Sequence, residues 1–451
     1  MGDSWTNCTV DDVKANTPNA ISTGPFGSAI SSRFFVESGV PVVRGSNLSQ
    51  DVGVRLIDDG LVFLTEEKAD EFKRSVARRG DLVFTCWGTI DQVGLIDDRS
   101  RFREYVLSNK QMKLTPDPRK IDSLFLYYLF SSRLMRETIL NQGIGSSVPG
   151  FNLGQLKAIT LRLPPISEQR AIAHILGTLD DKIELNRRMN ETLEAIARAI
   201  FKSWFVDFDP VRTKSEGRDP RLPKHIADLF PDRLEESELG EIPAGWKVGS
   251  VDDEFDLTMG QSPPGETYNE VGDGLPFYQG RADFGNRFPT RRVHCTAPTR
   301  FAKAGDTLVS VRAPVGDINM ASEACAIGRG VAAARHKTGS RSYSYQFMQS
   351  IEEVFARFEA EGTVFGSIGK KDFHAIACVS PPRELVLAYE VCVSPIDDRV
   401  EVNERESRTL AALRDALLPK LIYGELRVSG LKKAIAGDDH RNMDEESRRQ
   451  P

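Results

Sequence analysis

The sequence predicts an α+β protein with a pseudo-two-fold internal repeat: two tandem globular domains separated by two long helices that form an antiparallel coiled coil. Three observations support this prediction. The pattern "LDDKIELNRR" from Leu179 returns as "IDDRVEVNER" from Ile396. The likeness extends along both halves, since "GVPVVRGSNL" from Gly39 corresponds to "GLPFYQGRAD" from Gly274. The spacing between the copies varies in their front parts but is constant from Gly145 onward, as expected when loop-bearing domains precede helices in a fixed register.

The front part of each copy has the pattern of a mixed α/β domain, at residues 1–163 and 240–382. In the first copy, "VPVVRG", "GLVFL", "DLVFT" and "VGLI" are short apolar runs bounded by turn residues, which is typical of β-strands. The run "DSLFLYYLFSSRLMRETIL" from Asp122 has the apolar spacing of an amphipathic helix and begins with residues that favour a helix N-terminus. Each front part is long enough to bury a core of its own.

The two long helices are predicted at residues 164–208 and 383–424. A Pro-Pro pair precedes the first helix, and Ser167 is a favourable N-cap. Pro395 is expected to start or kink the second helix, and Pro419 to end it. Apolar and Asn residues recur along both helices at alternating steps of four and three, the spacing of a seam for a helical partner. The predicted seam contains Leu179, Ile183, Asn186, Leu193, Ile396, Val400, Asn403 and Leu410.

A duplicated unit favours pseudo-two-fold pairing, in which equivalent helices run antiparallel and equivalent central residues meet at the axis. We therefore expect Asn186 to face Asn403. The same register puts Leu179 near Leu410, and Leu193 near Ile396. An Asn in such a seam lowers stability but fixes the register. The alternative is that each Asn points to solvent.

Two further segments have compositions unlike those of the domains and helices. Residues 209–239 are rich in Pro and charge and have no long apolar period, so we expect an extended connector. Residues 425–451 are mostly polar, and we expect a disordered tail.

Composition excludes several classes of protein. The 451 residues are 40% hydrophobic, and no apolar run approaches the length of a membrane span. The N-terminus has no signal-peptide pattern, and the six scattered Cys residues form no C-x-x-C pair, so we expect a cytoplasmic protein with reduced thiols. The net charge of −6 predicts that this chain alone binds nucleic acid weakly, unless Lys and Arg are concentrated locally or a partner supplies basic surface.

Catalytic and metal-binding patterns are missing, and we expect no catalytic and no metal residues. The sequence contains no G-x-x-x-x-G-K-[ST] loop and no glycine-rich fingerprint for a nucleotide or methyl donor. The "LPP" and "SPP" segments at Leu163 and Ser380 lack the Asn of adenine-methylating "NPPY" segments. The paired carboxylates Asp180-Asp181 and Asp397-Asp398 are expected to lie on a solvated or partner-facing helix surface.

Three long segments resemble the specificity subunit of type I restriction-modification enzymes. They are "LPPISEQRAIAHILGTLDDKIELNRRMNETLEAIARAIFKSWFVDFDPVR", "LPKHIADLFPDRLEESELGEIPAGW" and "LRDALLPKLIYGELRV". The resemblance implies two target-recognition domains, each reading one half of a split double-stranded DNA site. It implies that the helices act as a spacer and dock two DNA methyltransferase subunits, with endonuclease/translocase subunits joining the complex. It further implies that this chain binds no cofactor, and that S-adenosylmethionine, ATP and Mg belong to the partner subunits.

Base contacts in such domains have to be argued from side-chain chemistry. Arg44 and Gln279 occupy equivalent positions after a strand, and Arg on guanine and Gln on adenine are common major-groove pairings. Trp87, in the second loop, is also a candidate, although a core position is expected for it rather than stacking on a base. The other candidates are polar residues of four equivalent loops, some of which would contact only phosphates. They are Ser46, Asn47, Thr85, Asn109, Lys110, Ser146 and Ser147 in the first domain, and Arg281, Ser310, Arg312, Arg329, Thr363, Lys370 and Lys371 in the second.

Two other classes of function remain open at this point. A stand-alone nuclease with an unrecognised metal site predicts DNA cleavage by the purified chain with Mg. A coiled-coil adaptor that never touches DNA predicts no sequence-selective protection of DNA, even with methyltransferase present.

Overall fold

The computed structural model describes residues 5–144, 149–360 and 366–428. It divides the chain into two compact units, unit 1 (residues 1–186 and 405–451) and unit 2 (residues 187–404). Both long helices are 40 residues in length, α6 at Ile166–Phe205 and α13 at Arg383–Ile422. Each helix therefore contributes one half to each unit.

Unit 1 combines three small sheets with helices. Its strands are β1 (Thr6–Thr9), β2 (Ile21–Thr23), β3 (Val40–Val43), β4 (Val62–Leu64), β5 (Val76–Arg78), β6 (Leu82–Thr85), β7 (Val93–Leu95), β8 (Glu104–Leu107), β9 (Gln111–Leu114) and β10 (Thr160–Leu163). Its shorter helices are α1 (Val10–Val13), α2 (Glu66–Asp70), α3 (Ser123–Ser131), α4 (Arg133–Asn141) and α5 (Leu153–Ala158). The strand orders are β2-β9-β6-β7, β4-β3-β8-β5 and β1-β10, and among the described strands of this unit only β3 and β8 pair in parallel.

Unit 2 repeats this plan with additions. Its strands are β11 (Leu234–Ser237), β12 (Gly240–Pro243), β13 (Lys247–Ser250), β14 (Phe255–Met259), β15 (Tyr268–Asn269), β16 (Leu275–Tyr278), β17 (His294–Cys295), β18 (Phe301–Ala302), β19 (Thr307–Val311), β20 (Val315–Met320), β21 (Cys325–Ile327), β22 (Val331–His336) and β23 (Ala377–Ser380). Its shorter helices are α7 (Asp209–Ser215), α8 (Lys224–Ala227), α9 (Val251–Glu254), α10 (Arg341–Ser350), α11 (Glu352–Ala360) and α12 (Lys370–His374).

The strand order repeats between the units. The sheet β14-β22-β19-β20 corresponds to β2-β9-β6-β7, and β13-β23 corresponds to β1-β10. In the remaining large sheet, β15-β17-β16-β21-β18, the strands β16 and β21 pair in parallel as β3 and β8 do in unit 1. The four apolar runs singled out in the sequence are β3, β4, β6 and β7, so those strand predictions are confirmed.

Both long helices supply core to both units. In unit 1, Leu176 of α6 and Leu421 of α13 are fully buried in the same apolar cluster as the sheet residue Phe84. In unit 2, Phe201 of α6 and Tyr389 of α13 belong to another cluster that includes the sheet. Amphipathic helices gain most of their stability from such packing, which explains why mostly polar sequences remain helical over 40 residues.

Within each unit the two helices run antiparallel. In unit 1, Asp180 accepts from Arg414 at 2.8 Å, and Asn186 donates to Glu406 at 2.8 Å, so numbers rise on one helix as they fall on the other. Asn186 also donates to Ser407.

Unit 2 contains the matching contact. The side-chain nitrogen of Asn403 donates to Asn190 at 2.8 Å, and Tyr389 donates to the carbonyl of Ala197 at 3.1 Å. Asn186 and Asn403 are fully buried, so the alternative that they point to solvent is wrong.

The helix register differs from the predicted one by about a turn. Leu193 packs in a cluster with Val400, whereas Ile396 packs in the cluster that contains Ala197, so the predicted Leu193–Ile396 pair is wrong. A repeating seam offers similar contacts at every turn, so neighbouring registers could not be distinguished from the sequence. The direct apposition of Asn186 and Asn403, and the Leu179–Leu410 pair, stay predictions.

Proline did not set the ends of the second helix. α13 begins at Arg383, runs through Pro395 and Pro419, and ends at Ile422, so Pro395 does not start it and Pro419 does not end it. Buried contacts flank Pro395 on both sides, at Val393 and at Asp397. This packing holds the helix despite the hydrogen bond that proline removes.

The structure corrects three other predictions. The predicted helix from Asp122 is two helices, α3 and α4, because Ser132 between them has an extended backbone. The predicted extended connector at residues 209–239 is folded, with α7, α8 and β11, because Val211, Ile226 and Phe230 are buried against the end of α6. Residues 425–428 of the expected tail are ordered, and residues 429–451 lie outside the described residues.

Candidate nucleic-acid interface

A tight turn after β3 presents Arg44 in unit 1. Asn47 closes this turn, since its side-chain oxygen accepts from the backbone N–H of Arg44 at 3.0 Å. The amide nitrogen of Asn47 donates to the carbonyls of Ile57 and Asp59, at 3.0 and 3.2 Å. Asn47 is fully buried, so its predicted contact with DNA is wrong; it positions Arg44 instead. One guanidinium nitrogen of Arg44 donates to the carbonyl of Gly60 at 2.7 Å.

The equivalent turn after β16 presents Gln279 in unit 2. Here Asp283 takes the place of Asn47: its carboxylate accepts from the backbone N–H of Gln279 at 2.7 Å. Arg292 forms an ion pair with the same carboxylate at 2.5 Å. The side chain of Gln279 is exposed. Asp283 was not predicted from the sequence; it follows Gln279 by four residues, whereas Asn47 follows Arg44 by three.

Six of the predicted residues line a concavity of about 630 Å³ in unit 1. Polar side chains from three loops face it, beside the apolar Ile30 and Phe35. The predicted residues in its lining are Arg44, Ser46, Thr85, Trp87, Asn109 and Lys110, and the polar lining residues that the sequence analysis missed are Thr89, Gln92, Ser108 and Gln111. Ser46, Asn109 and Lys110 are exposed, whereas Thr85 is buried and donates to Gln92 at 3.2 Å.

Trp87 lies at this concavity and not in the core. Its side chain is 52% exposed, so the core prediction is wrong. One side of the ring lies against the backbone of Gly150, where an added Cβ would come within 2.6 Å of the ring. Because Gly150 lies in a segment with no apolar periodicity, no sequence pattern indicated this contact.

A second concavity, of about 640 Å³, lies in unit 2. It contains two of the predicted residues, Gln279 and Arg281, together with Arg292, which the sequence analysis missed. Arg281 forms an ion pair with Asp317 at 3.0 Å, and its side chain is mostly exposed. Arg312 is exposed and precedes the lining residue Ala313.

The other predicted residues of unit 2 are less concentrated. Ser310 is fully buried, donates to the carbonyl of Pro314 and accepts from the N–H of Asp317, so it is a turn residue and its predicted surface contact is wrong. Arg329, Lys370 and Lys371 are exposed and are not part of the lining of this concavity. Three further predicted residues, Ser146, Ser147 and Thr363, lie outside the described residues.

A buried charge cluster in unit 1 links the globular part to both helices. Arg55 forms an ion pair with Asp97 at 2.5 Å and lies 3.4 Å from the hydroxyl of Tyr128. That hydroxyl donates to Asp180 of α6 at 2.5 Å. Asp180 also forms an ion pair with Arg414 of α13 at 2.8 Å.

Unit 2 has a corresponding buried cluster. Arg287 contacts Glu194 of α6 at 2.9 Å and Asp397 of α13 at 2.5 Å, and its guanidinium lies 3.4 Å from the ring centre of Tyr345. Desolvation by burial raises the pKa of Glu194 above its ordinary value. Asp180 and Asp397 are both nearly fully buried, so the expected solvated surface is wrong for the first Asp of each pair.

The described residues offer little for covalent or metal chemistry. They contain no group of three or more His, Cys, Asp or Glu side chains arranged to hold a metal ion. Burial raises the pKa of Cys86, Cys325 and Cys378 to about 12, so these thiols are protonated at neutral pH. No helix among the described residues is long and apolar enough to cross a membrane.

Comparison with known proteins gives one consistent result. Residues 31–195 match the family described as "Type I restriction modification DNA specificity domain". The chain is 29% identical over 398 residues to the putative type I restriction enzyme MjaX specificity subunit of Methanocaldococcus jannaschii, covering 86% of this chain and 88% of that one. It is 26% identical to the type I restriction enzyme HindI specificity subunit of Haemophilus influenzae, covering 71% and 81%.

A solved structure shares the fold. The S subunit of a type I restriction-modification system from M. genitalium aligns with a TM-score of 0.56 at 16% identity, over 93% of this chain and 96% of that one. The matched domain and the similarity along most of the chain make this protein similar to type I restriction-modification DNA specificity subunits, in agreement with the resemblance seen in the sequence.

Proposed function

We propose that this chain recognises a bipartite double-stranded DNA target, with unit 1 reading one half and unit 2 the other, and that it has no catalytic activity of its own. The observation that carries the proposal is the repeated turn after a parallel-paired strand. In both units this turn points a side chain suited to a base edge toward a polar concavity of similar volume. Arg44 suits guanine and Gln279 suits adenine, so the two units would read different sequences.

Local charge supports DNA binding despite the acidic total. In unit 1, Arg44 and Lys110 face the concavity; in unit 2, Arg281 and Arg292 do so, each paired with an aspartate. These cations suit phosphates as well as bases. The net charge of −6 nevertheless leaves the chain dependent on basic surface from partners for strong binding.

The long helices would set the distance between the two half-sites. We propose that α6 and α13 form one antiparallel coiled coil, with Asn186 and Asn403 at its centre. Antiparallel pairing within each unit and the buried Asn contacts support this proposal. The helices would also dock two DNA methyltransferase subunits, through which endonuclease/translocase subunits join. S-adenosylmethionine, ATP and Mg would then be bound by those partners.

The test uses the complex reconstituted with methyltransferase subunits. Methylome sequencing of the host with and without this chain first identifies the split target. Binding of Arg44→Ala and Gln279→Ala complexes is then measured on duplexes altered in one half-site at a time. We expect Arg44→Ala to lose about 1–3 kcal/mol of discrimination in one half-site only, and Gln279→Ala to lose it in the other only.

Arg103→Ala is the matched control, since Arg103 is exposed and is not part of the lining of the unit 1 concavity. It should leave discrimination unchanged. Loss of discrimination in the same half-site for both Arg44→Ala and Gln279→Ala would contradict the proposal. DNA cleavage by the purified chain with Mg alone would favour the stand-alone nuclease.

A further inference from the structure

Phe26 is an exposed aromatic side chain in a turn whose backbone is hydrogen-bonded to Asn109 and Gln111, two lining residues of the unit 1 concavity. Its side chain is 82% exposed, which is unusual for phenylalanine. It is preceded by Pro25 and followed by Gly27, whose φ of +65° is in the left-handed region that favours glycine. We name residues 24–27 the tip.

The tip is fixed to the lining of the concavity on both sides of Phe26. The N–H of Gly24 donates to the carbonyl of Gln111 at 2.9 Å, and the side chain of Asn109 donates to the carbonyl of Gly27 at 3.3 Å. Gly24 lies so close to the backbone of Ser108 that an added Cβ would come within 1.8 Å of its carbonyl oxygen. The exposure of Phe26 is therefore held by the fold.

Trp87 lines the concavity itself and is a second exposed aromatic side chain, with Gly150 against its ring. We name Phe26 and Trp87 together the aromatic rim. Trp87 shares the lining of the concavity with Arg44 and Lys110, and the turn that carries Phe26 is bonded to that lining, so this face of unit 1 is both apolar and cationic. Flat bases and phosphates are the chemistry that matches this combination, since aromatic side chains stack on bases and cations bind the backbone.

Unit 2 has no aromatic residue at the corresponding positions. Gly260 makes the same close backbone approach as Gly24, and the residue two positions later is Ser262, which accepts from Arg329 at 3.3 Å. The position of Trp87 is taken by the exposed Arg312. The aromatic rim is therefore a property of unit 1.

We propose that Phe26 acts as a wedge that inserts between neighbouring base pairs of the half-site bound by unit 1, with Trp87 contacting the exposed base or sugar. This inference rests on the proposed function. It means that unit 1 deforms its half-site and selects in part for an easily unstacked step, such as a pyrimidine–purine step. Unit 2 would read its half-site through hydrogen bonds and charge alone.

The experiment uses the complex with methyltransferase subunits and duplexes that carry 2-aminopurine at successive positions of each half-site. Fluorescence rises where a base is unstacked. We expect a rise at one step of the unit 1 half-site with the wild-type chain. With Phe26→Ala the rise should be lost and the Kd should increase about tenfold, while Phe26→Leu, which keeps an apolar wedge, should retain much of the affinity.

Val271→Ala is the matched control, because Val271 is an 89% exposed apolar side chain of unit 2. It should change neither signal. Because Phe26 is uncharged, the salt dependence of the Kd should stay the same in Phe26→Ala, whereas Lys110→Ala should reduce it.

Three results would overturn the inference. Unchanged Kd and fluorescence with Phe26→Ala would overturn the wedge while leaving the proposed function in place. Failure of Phe26→Ala to assemble with methyltransferase, measured by gel filtration, would assign Phe26 to a protein interface. Absence of DNA binding by the wild-type complex would refute the proposed function itself.

Discussion

The two units attach their globular parts to the same pair of helices with different electrostatics. In unit 1, the helix carboxylate Asp180 has Arg414 at 2.8 Å and the hydroxyl of Tyr128 at 2.5 Å, with Arg55 at 3.9 Å. In unit 2, a single arginine, Arg287, contacts two helix carboxylates. Unit 1 therefore shares one carboxylate between two cations, and unit 2 shares one cation between two carboxylates.

The two copies of the repeat therefore keep equivalent residues at equivalent positions, while the interaction energies at those positions differ. Tyr128 and Tyr345 are separated along the chain by the same number of residues as the two copies of the helix, so they are equivalent positions of the repeat. Asp180 and Asp397 are equivalent in the same way. The arginine from each globular part lies in the region of variable length. A buried ion pair is strongly destabilised when one partner is removed, because the other charge is left without compensation. The number of remaining partners should therefore decide the cost in each unit.

The largest effect should follow from Arg287→Met. This change leaves the buried Asp397 and the partly buried Glu194 without the arginine that contacts both. We expect a loss of about 3–5 kcal/mol in the free energy of unfolding, measured by denaturant titration. Arg281→Met is the matched control, because its ion pair with Asp317 is largely exposed and should contribute less than about 1 kcal/mol.

Arg55→Met should cost less, about 1–3 kcal/mol, because Asp180 keeps its ion pair with Arg414, and Asp97, which loses its partner, is partly exposed. The same titration measures it. If Arg55→Met and Arg287→Met lower the free energy of unfolding by the same amount, the number of remaining partners does not decide the cost. The proposed difference between the two clusters is then wrong.

Asn47→Ala should cost about 1–2 kcal/mol of stability through the loss of three hydrogen bonds in the turn after β3. Because Asn47 positions Arg44, we also expect weaker discrimination in the half-site read by unit 1. Binding to duplexes altered in each half-site separates the two effects. A variant that loses stability but discriminates normally would limit Asn47 to a structural role.

The smallest effect should be the pH dependence of Glu194→Gln. Burial raises the pKa of Glu194, so its protonated form is favoured in the folded state. This contribution is fully present below the ordinary glutamate pKa of 4.5 and is lost as the pH rises through the raised value. The wild-type Tm relative to that of Glu194→Gln should therefore fall as the pH rises over this range. A difference that stays constant with pH would show that Glu194 does not titrate there.

Much of the fold could be predicted because it depends on periodicity and repetition. The strands β3, β4, β6 and β7 and both long helices follow from apolar spacing. The ends of α13 could not, because the effect of Pro395 depends on buried neighbours that only the tertiary structure reveals. The folded segment at residues 209–239 was missed for the same reason, since its few apolar residues become informative only once the end of α6 is beside them.

The candidate site was predicted less completely than the fold. Arg44 and Gln279 could be identified because each directly follows a strand, which is a property of the local sequence. The exposure of Trp87 depends on its contact with Gly150, which is distant along the chain. Asn47 and Asp283 have polar side chains typical of surface contacts, yet the turns use them internally. These cases differ in the direction in which the side chain points, and the spacing of residues along the sequence does not show that direction.

The central claim is that each unit reads its own half of a split DNA target. Replacing residues 1–163 by the corresponding segment of another specificity subunit, followed by methylome sequencing of the host, tests it most directly. We predict that one half of the methylated motif changes while the other half stays intact. A motif in which both halves change would contradict independent reading by the two units.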